Sequence, residues 1–522
     1  MTVAMTDNVH SIHDKFTQAA GRADRTIQIR PDALHLIATE GENALLAAEA
    51  PIYVRAGLVK PVVDELPGAH GTTAKVARLC EVETDCLIDY LSRAAGWVKY
   101  DVRKKDWKPT DPPRNVAQTI MSREGEWRFR PLAGVITTPT IRPDGTILSE
   151  AGYDPATQLL LMAPPTLPKI PDKPTKDQAI RALALLSDLL TEFPFTNDAS
   201  RSVALSALIT PIVRGGVPVA PMHVTTAPVA GSGKSYIIDL ASAMATGERA
   251  PVLAAGRTEE ETEKRLVAAL INGQSIITID NVNGNLGGDL LCQMIERPLV
   301  SVRPLGSSKL AKIETRATVY ATGNNIRMVG DMTRRVVICA LDPNVERPEL
   351  REFAKRPFEM VAQNRGKYIG AVLTIVRAYA AVGYPDQRPA LASFESWSKV
   401  VRSALVWLGQ ADPVETMNEA RSDDPIAEAL STLLHTWHDA LGVNWFSTGQ
   451  AIARSQEQYF DRRAHPDFFQ ALNDVAEKRG DLNGLRLAKY LSSHKGKIID
   501  GLKFVVDTDP HTKSNIWAVA KA

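Results

Sequence analysis

Cysteine is scarce, with four residues in a chain of 522, too few for a disulfide framework. The one close pair, Cys80 and Cys86, lacks the C-x₂-C spacing of a zinc site, so both read as ordinary core thiols. Long apolar runs are missing too. None approaches the ~20 residues that a membrane-spanning helix needs. The opening stretch, MTVAMTDNVHSIHDKF, has neither the basic start nor the apolar segment of a secretory leader. The expectation is a cytoplasmic protein with no membrane partner. There is also no excess of either charge: the net charge of +1 excludes a uniformly basic coat, so any nucleic-acid surface must be a local stripe. Length excludes a single core, and three or four domains are expected.

Composition and periodicity then divide the chain. Residues 1–25 are polar and read as a flexible tail. Residues 26–162 alternate strand-like runs and turn signals, including GVITTPTIRPDGTIL with its Pro143-Asp144-Gly145 turn, and one helix, VETDCLIDYLSRAAG. This predicts an N-terminal mixed α/β domain of unknown role. It has no aspartate pair set on a strand end, as a polymerase or primase metal site would need. Residues 163–177, APPTLPKIPDKPTKD, are proline-rich and read as a stiff linker. A helical pattern runs from Gln178 to about Val213. Between Met222 and Asp342 apolar strands alternate with helices, the signature of a parallel sheet with crossovers. Expected strands are MHVTTAP, APVLAAG, SIITIDNV, ATVYATGN and RVVICALD. Thr258 and Glu261 make a capping box for a helix ending at Gly273. Residues 346–423 read as a helical subdomain and linker. Residues 424–522 read as three helices followed by a β-hairpin, the order of a winged helix, with Trp437, Trp445 and Trp517 filling its core.

The chemistry concentrates at TAPVAGSGKS (226–235), between an apolar strand and an amphipathic helix. A strand, a glycine-rich turn and a helix in that order aim backbone N–H groups and a helix N-terminus at one point, where a phosphate is stabilised. Ala230, Gly231, Ser232 and Gly233 would cradle the phosphates, Lys234 would reach the β- and γ-phosphates, and Ser235 would ligate Mg²⁺. Pro228 stands where the P-loop pattern has its first glycine. SIITIDN is an apolar strand ending in Asp280, an acid placed to hold Mg²⁺. Asn281 follows, where many P-loop ATPases carry a glutamate. An amide orients water but cannot accept its proton, so the base is unassigned. ATVYATGNN emerges in Asn324 and Asn325, amides that could position the lytic water. GDMTRR then places Arg334 and Arg335 as candidate arginine fingers for a neighbouring subunit.

Walker A, a compact Walker B, a strand ending in asparagine and D-x-x-R-R (Asp331, Arg334, Arg335) together resemble superfamily 3 helicases. These are the AAA+ hexameric motors of DNA viruses, phages and mobile elements. The resemblance covers about residues 178–345 and departs at Pro228 and Asn281. It implies an AAA+ sheet, a homo-hexameric ring with ATP and Mg²⁺ at subunit interfaces, and DNA threaded through the centre. The family carries a β-hairpin just before the asparagine strand. Here LVSVRPLGSSKLAKIE (299–314) would present Arg303, Lys309 and Lys312 to DNA phosphates. In the C-terminal unit, Arg486 and Lys489 on a helix, with Lys495, Lys497 and Lys503 following, would suit duplex docking.

These residues predict a multidomain α/β protein with a P-loop ATPase core. Its expected function is that of an ATP-driven hexameric DNA helicase or replication initiator of a phage, prophage or mobile element. It would translocate on single-stranded DNA, with a primase or polymerase as further candidate partners. The alternative is an ATP-switched DNA-binding regulator or loader without processive unwinding, which Asn281 keeps open. A small-molecule P-loop kinase fits less well, because no acceptor-lid pattern accompanies the arginine pair.

Overall fold

The computed structural model describes residues 25–67, 73–256, 258–305, 310–422, 424–460 and 462–522. The expected tail (Arg25 excepted), Lys309 and the Gly306-Ser307-Ser308 turn lie outside the described residues. The chain divides into two compact units. One is built from Met1–Gly284, Gly288–Ile326 and Arg335–Thr416, the other from Asn285–Gly287, Arg327–Arg334 and Met417–Ala522.

The larger unit is centred on a five-stranded parallel sheet. Its strands are β1 (Met222–Thr226), β2 (Val252–Ala254), β3 (Ile276–Leu286), β4 (Thr318–Met328) and β5 (Val336–Ala340), in the order β2-β3-β4-β1-β5. β1 pairs in parallel with both β4 and β5, and β2 with β3. Such strands are covered on both faces and read as continuous apolar runs; Met222 to Thr225 and Ile276 to Ile279 are all buried. The helices needed here are α1 (Lys176–Asp188), α2 (Asp198–Val213), α3 (Lys234–Thr246), α4 (Glu259–Ile271), α5 (Asp289–Glu296) and α6 (Arg365–Ala381). α1 opens on a capping box from Thr175 and Gln178, and α4 on Thr258, whose hydroxyl accepts from the Glu261 N–H.

Three expectations are refined or corrected. The helical pattern from Gln178 to about Val213 resolves into two helices, because EFPFTN interrupts it: Pro194 cannot continue α1, and Asn197 caps α2 by accepting the Ser200 N–H at 2.7 Å. β3 and β4 do not end at Asp280 and Asn324 but run on to Leu286 and Met328. The proline-rich stretch, expected as a stiff linker, is also strapped along α6. A side chain at Gly366 would come within 2.0 Å of the Thr166 carbonyl, and one at Gly370 within 2.7 Å of the Pro168 ring. The two glycines, one turn apart, make the groove in which the strap lies.

The N-terminal part of this unit holds a three-stranded sheet, Thr26–Ile29, Gly96–Asp101 and Asp106–Pro109. Leu34–Ala47, Thr84–Ala94 and Arg114–Ser122 form the helices that share its core, around Leu45, Leu91, Trp97 and Ile120. Within 424–522 the described residues form four helices where three were expected: Pro425–Leu441, Thr448–Ser455, Pro466–Ala476 and Gly484–His494. A hairpin of Leu502–Thr508 and Asn515–Lys521 follows. The missed helix carries its own signal, a capping box between Ser447 and Gln450. Trp437 and Trp517 fill this core with Phe468 and Phe504, whereas Trp445 is 44 % exposed.

His223, inside β1, is fully buried between Tyr320 and Trp397, and its Nε2 meets Ser206 Oγ at 2.9 Å. Burial, reinforced by the Arg214 charge, pushes its pKa down to about 3. A depressed histidine contributes stability that is complete above its unfolded value near 6.5 and is lost as pH falls below it. This one group should therefore remove about 1.4 kcal/mol per pH unit below pH 6. Denaturant midpoints measured from pH 7 to 4.5 should fall steeply for the natural chain and more shallowly for His223→Gln. Parallel curves would refute the assignment.

Candidate nucleotide-binding site

Parallel strands end at one edge of a sheet, and here that edge gathers the residues singled out above. The loop after β1 carries Gly231 and Gly233 at φ of +74° and +93°, a region open to glycine at little cost. Gly233 caps α3, so the helix N-terminus opens on the loop. Lys234 lies back across it, donating from Nζ to the Val229 carbonyl at 2.8 Å, and Ser232 Oγ donates to the same carbonyl at 2.6 Å. Partial burial lowers the Lys234 pKa, and the neighbouring Asp280 charge opposes that shift.

Ser235 Oγ donates to Asp280 Oδ1 at 3.2 Å, so β3 and the start of α3 converge as expected. Thr322, two residues before Asn324, was not foreseen. Its hydroxyl donates to the same Asp280 oxygen and accepts the Asn281 N–H at 3.2 Å, pinning the acid between β3 and β4. Asn324 lies one position beyond the Thr226–Gly323 register pair. Its Oδ1 is buried without a hydrogen-bond partner among the described residues. An unsatisfied buried carbonyl is costly and marks a group held for a ligand or water.

Asn281 and Asn325 share an unexpected property. Their φ angles are +54° and +51°, so each sits in the left-handed region in mid-strand, one residue past Asp280 and Asn324. Asparagine tolerates that conformation better than glutamate or other long side chains. Backbone geometry alone therefore accounts for an amide at 281.

The two candidate arginines part company. Arg335 is 4 % exposed, and its guanidinium bonds Glu296 at the end of α5 (Nε to Oε2, 2.9 Å), which also accepts from Ser393. It is a buried structural pair, so the expectation that Arg335 is offered to a neighbouring subunit is corrected. Arg334 is partly exposed and pairs with Asp331 at 2.9 Å. Two further neighbours of the loop had no local sequence signal. Phe193 would lie 3.2 Å from a side chain at Gly233, and Glu349 at the same distance from one at Gly231.

The hairpin expected before the asparagine strand is formed by Leu299–Val302 and Ala311–Glu314, in register Ser301 to Lys312. Arg303 and Lys312 are exposed, as are Arg486, Lys489, Lys495 and Lys497 in the smaller unit. Arg486 also donates to the Glu477 carbonyl at 2.7 Å. Among the described residues, no cluster of three His, Cys, Asp or Glu side chains could hold a metal by itself. No helix among them is long and apolar enough to cross a membrane.

No family model and no curated protein matches the chain. Among solved structures, the apo NrS-1 C-terminal region is similar, at 9 % identity and a TM-score of 0.34, over 86 % of this chain and 94 % of that one. A shorter form of the same region, residues 305–718, gives 10 % identity and 0.33 over 73 % and 93 %. The JCV helicase bound to a thiazolopyridine acetamide gives 12 % identity and 0.21 over 48 % and 74 %. Scores this low record a loose resemblance, and the assignments rest on the chain's own geometry.

The left-handed asparagines yield a test. Asn281→Gly keeps the backbone and removes the amide, so nucleotide-dependent turnover should stay within about threefold of the natural chain. Asn324→Ala should lower it by roughly 10². A collapse of activity in the glycine variant, with folding intact by circular dichroism, would instead make Asn281 a working amide.

Proposed function

We propose that this chain is an ATP-driven motor on single-stranded DNA, a helicase of the superfamily 3 kind assembled as a homo-hexameric ring. One observation carries the reading. The hairpin with exposed Arg303 and Lys312 is inserted in the connection between β3 and β4, the two strands that bear Asp280 and Asn324. A change at the γ-phosphate that shifts either strand would thus reach a surface able to grip DNA phosphates.

The residues fit ATP and Mg²⁺. Lys234 would exchange the Val229 carbonyl for phosphate oxygens, and the loop N–H groups and the start of α3 would hold the rest of the polyphosphate. Ser235 Oγ and Asp280 would hold Mg²⁺, which supplies charge neutralisation between the β- and γ-phosphates. Thr322 keeps the Asp280 carboxylate turned toward Ser235. Asn324 would orient the attacking water through its unpartnered carbonyl oxygen. Arg334, partly exposed and paired with Asp331, is the candidate finger for a neighbouring subunit's γ-phosphate. In the smaller unit, the exposed Arg486 and Lys489 lie three residues apart on one helix, with Lys495 and Lys497 after it. That pattern supports a winged-helix reading with duplex DNA as ligand.

A second reading has its own support. No carboxylate follows Asp280, and the left-handed backbone at Asn281 disfavours one. Slow hydrolysis would suit an ATP-switched regulator or loader that binds DNA without processive unwinding.

If Arg334 acts across an interface, Arg334→Ala should bind ATP normally and hydrolyse it roughly 10³-fold more slowly. Mixing it with Lys234→Ala before assembly should restore part of the activity, because some interfaces then join an intact loop to an intact finger. Mixed assemblies verified by mass spectrometry that show no recovery would rule out the interfacial site.

A further inference from the structure

The N-terminal three-stranded sheet has one covered face and one open face. Register partners share a face, so Ile27 and Trp97, both buried, point into the helical core. The opposite face carries Gln28, Val98 and Tyr100, with Pro109 and Trp107 as the partners of the last two. Gln28, Tyr100 and Pro109 are exposed there, while Val98 and Trp107 are half-buried. Tyr100 is 43 % exposed and stands edge-on to Trp107, with ring centroids 5.5 Å apart. The aromatic pair is therefore held rigidly on adjacent strands beside solvent.

Charge accumulates at the end of the same hairpin. Its turn carries Arg103, Lys104 and Lys105, all exposed. The two acids nearby are already engaged. Asp101 accepts the N–H groups of Arg103 and Lys104 at 2.9 and 3.2 Å, and Asp106 pairs with Lys108 at 2.8 Å. Asp101 thus shapes the turn so that three cations project from it. A protein-binding patch is depleted in lysine at its centre and presents more contiguous apolar area. An exposed aromatic pair with a cationic rim matches the requirement of unpaired bases, which stack on rings while their phosphates meet cations.

We propose that this sheet face and its basic turn bind single-stranded nucleic acid, one or two bases stacking on Tyr100 and Trp107 and the adjoining phosphates meeting Arg103, Lys104 and Lys105. The surface lies outside the nucleotide site and does not depend on the motor reading.

Photo-crosslinking with peptide mapping tests this on the full chain without nucleotide, using a 12-mer of 5-iododeoxyuridine and the matching 5-iodouridine RNA. The expected result is an adduct on Tyr100 or Trp107 with one or both oligonucleotides, the stronger adduct naming DNA or RNA. Charge reversal of the exposed turn (R103E, K104E, K105E) should abolish that adduct, weaken oligonucleotide binding at least tenfold and lower the salt slope by about two. It should leave DNA-independent ATP turnover unchanged. Tyr100→Ala should lose the Tyr100 adduct and weaken binding roughly tenfold while the salt slope persists. Adducts confined to other segments, such as 299–314 or 484–497, would overturn the proposal while leaving the motor reading standing. So would undiminished binding by a charge-reversed protein that retains its ATP turnover. Absence of ATP turnover in the natural chain with the Tyr100 adduct present would do the reverse.

Discussion

Parallel pairing of β1 between β4 and β5 is the constraint on which the candidate site depends. With Thr226 opposite both Gly323 and Ala340, the loop after β1, the end of the apolar part of β4 and the residues leaving β5 must emerge at one edge. The order β2-β3-β4-β1-β5 then brings Asp280 to the same edge on the far side of β4. Crossover connections make β1 the point where the chain departs to one side for β2 and later returns to the other for β5, the position at which open α/β sheets bind ligands. Thr322 converts this neighbourhood into a fixed geometry. One hydroxyl serves the Asp280 carboxylate and the Asn281 N–H together, and the acid cannot rotate away without losing both Thr322 and Ser235.

The same edge shows how a residue type can have two causes. An amide after an acid invites a catalytic account, in which asparagine replaces a glutamate base. The backbone offers another: at φ +54° glutamate would be strained and asparagine is tolerated. That the next strand repeats the arrangement at Asn325, also left-handed and one residue past a candidate site group, favours the backbone account for both. Asn324 differs, because its carbonyl oxygen is buried without a partner among the described residues. Of the three amides legible in the sequence, it is the one whose surroundings call for a ligand.

Local signals carried much of the architecture, and long-range packing explains what they missed. The loop, Asp280, the asparagine strand and the hairpin at 299–314 were readable because each is a contiguous run whose periodicity and turn residues report its own conformation. The two-helix break at EFPFTN and the helix at Thr448–Ser455 were readable too, from Pro194 with Asn197 and from the Ser447 box, but the apolar period ran across the first signal and the second helix is short. Arg335 could not be separated from Arg334 by sequence, since its burial depends on Glu296, 39 residues away. Phe193 and Glu349 reach the loop from opposite directions in the chain with no motif of their own. The proline-rich stretch has the composition of a spacer, and only Gly366 and Gly370, on a helix some two hundred residues later, make it a strap.

Three arginines, Arg55 and Arg214 buried and Arg365 half-buried, tie the larger unit together, and they do so through carbonyls. Arg55 donates to Leu270 O, in the last turn of α4, at 3.1 Å, and Arg365 to Met244 O and Ala245 O, in the last turn of α3, at 2.9 and 2.7 Å. Arg214 donates to Val217, Arg316 and Ala317 carbonyls at 2.7 to 3.1 Å. Burial lowers their pKa values to about 10, 9 and 9, so all three stay charged at neutral pH. A cation at a helix C-terminus meets the negative end of the dipole and the carbonyls that lack helical partners. Thr137 and Thr138 join Arg365 at the end of α3, where Thr138 Oγ1 donates to Met244 O at 3.3 Å. The N-terminal residues thus clasp the ends of α3 and α4, and α3 begins at the phosphate loop. A helix of 13 residues spans about 20 Å, so a displacement at the loop would reach Thr137 and Thr138, just after the Gly134–Ile136 strand, through one rigid element.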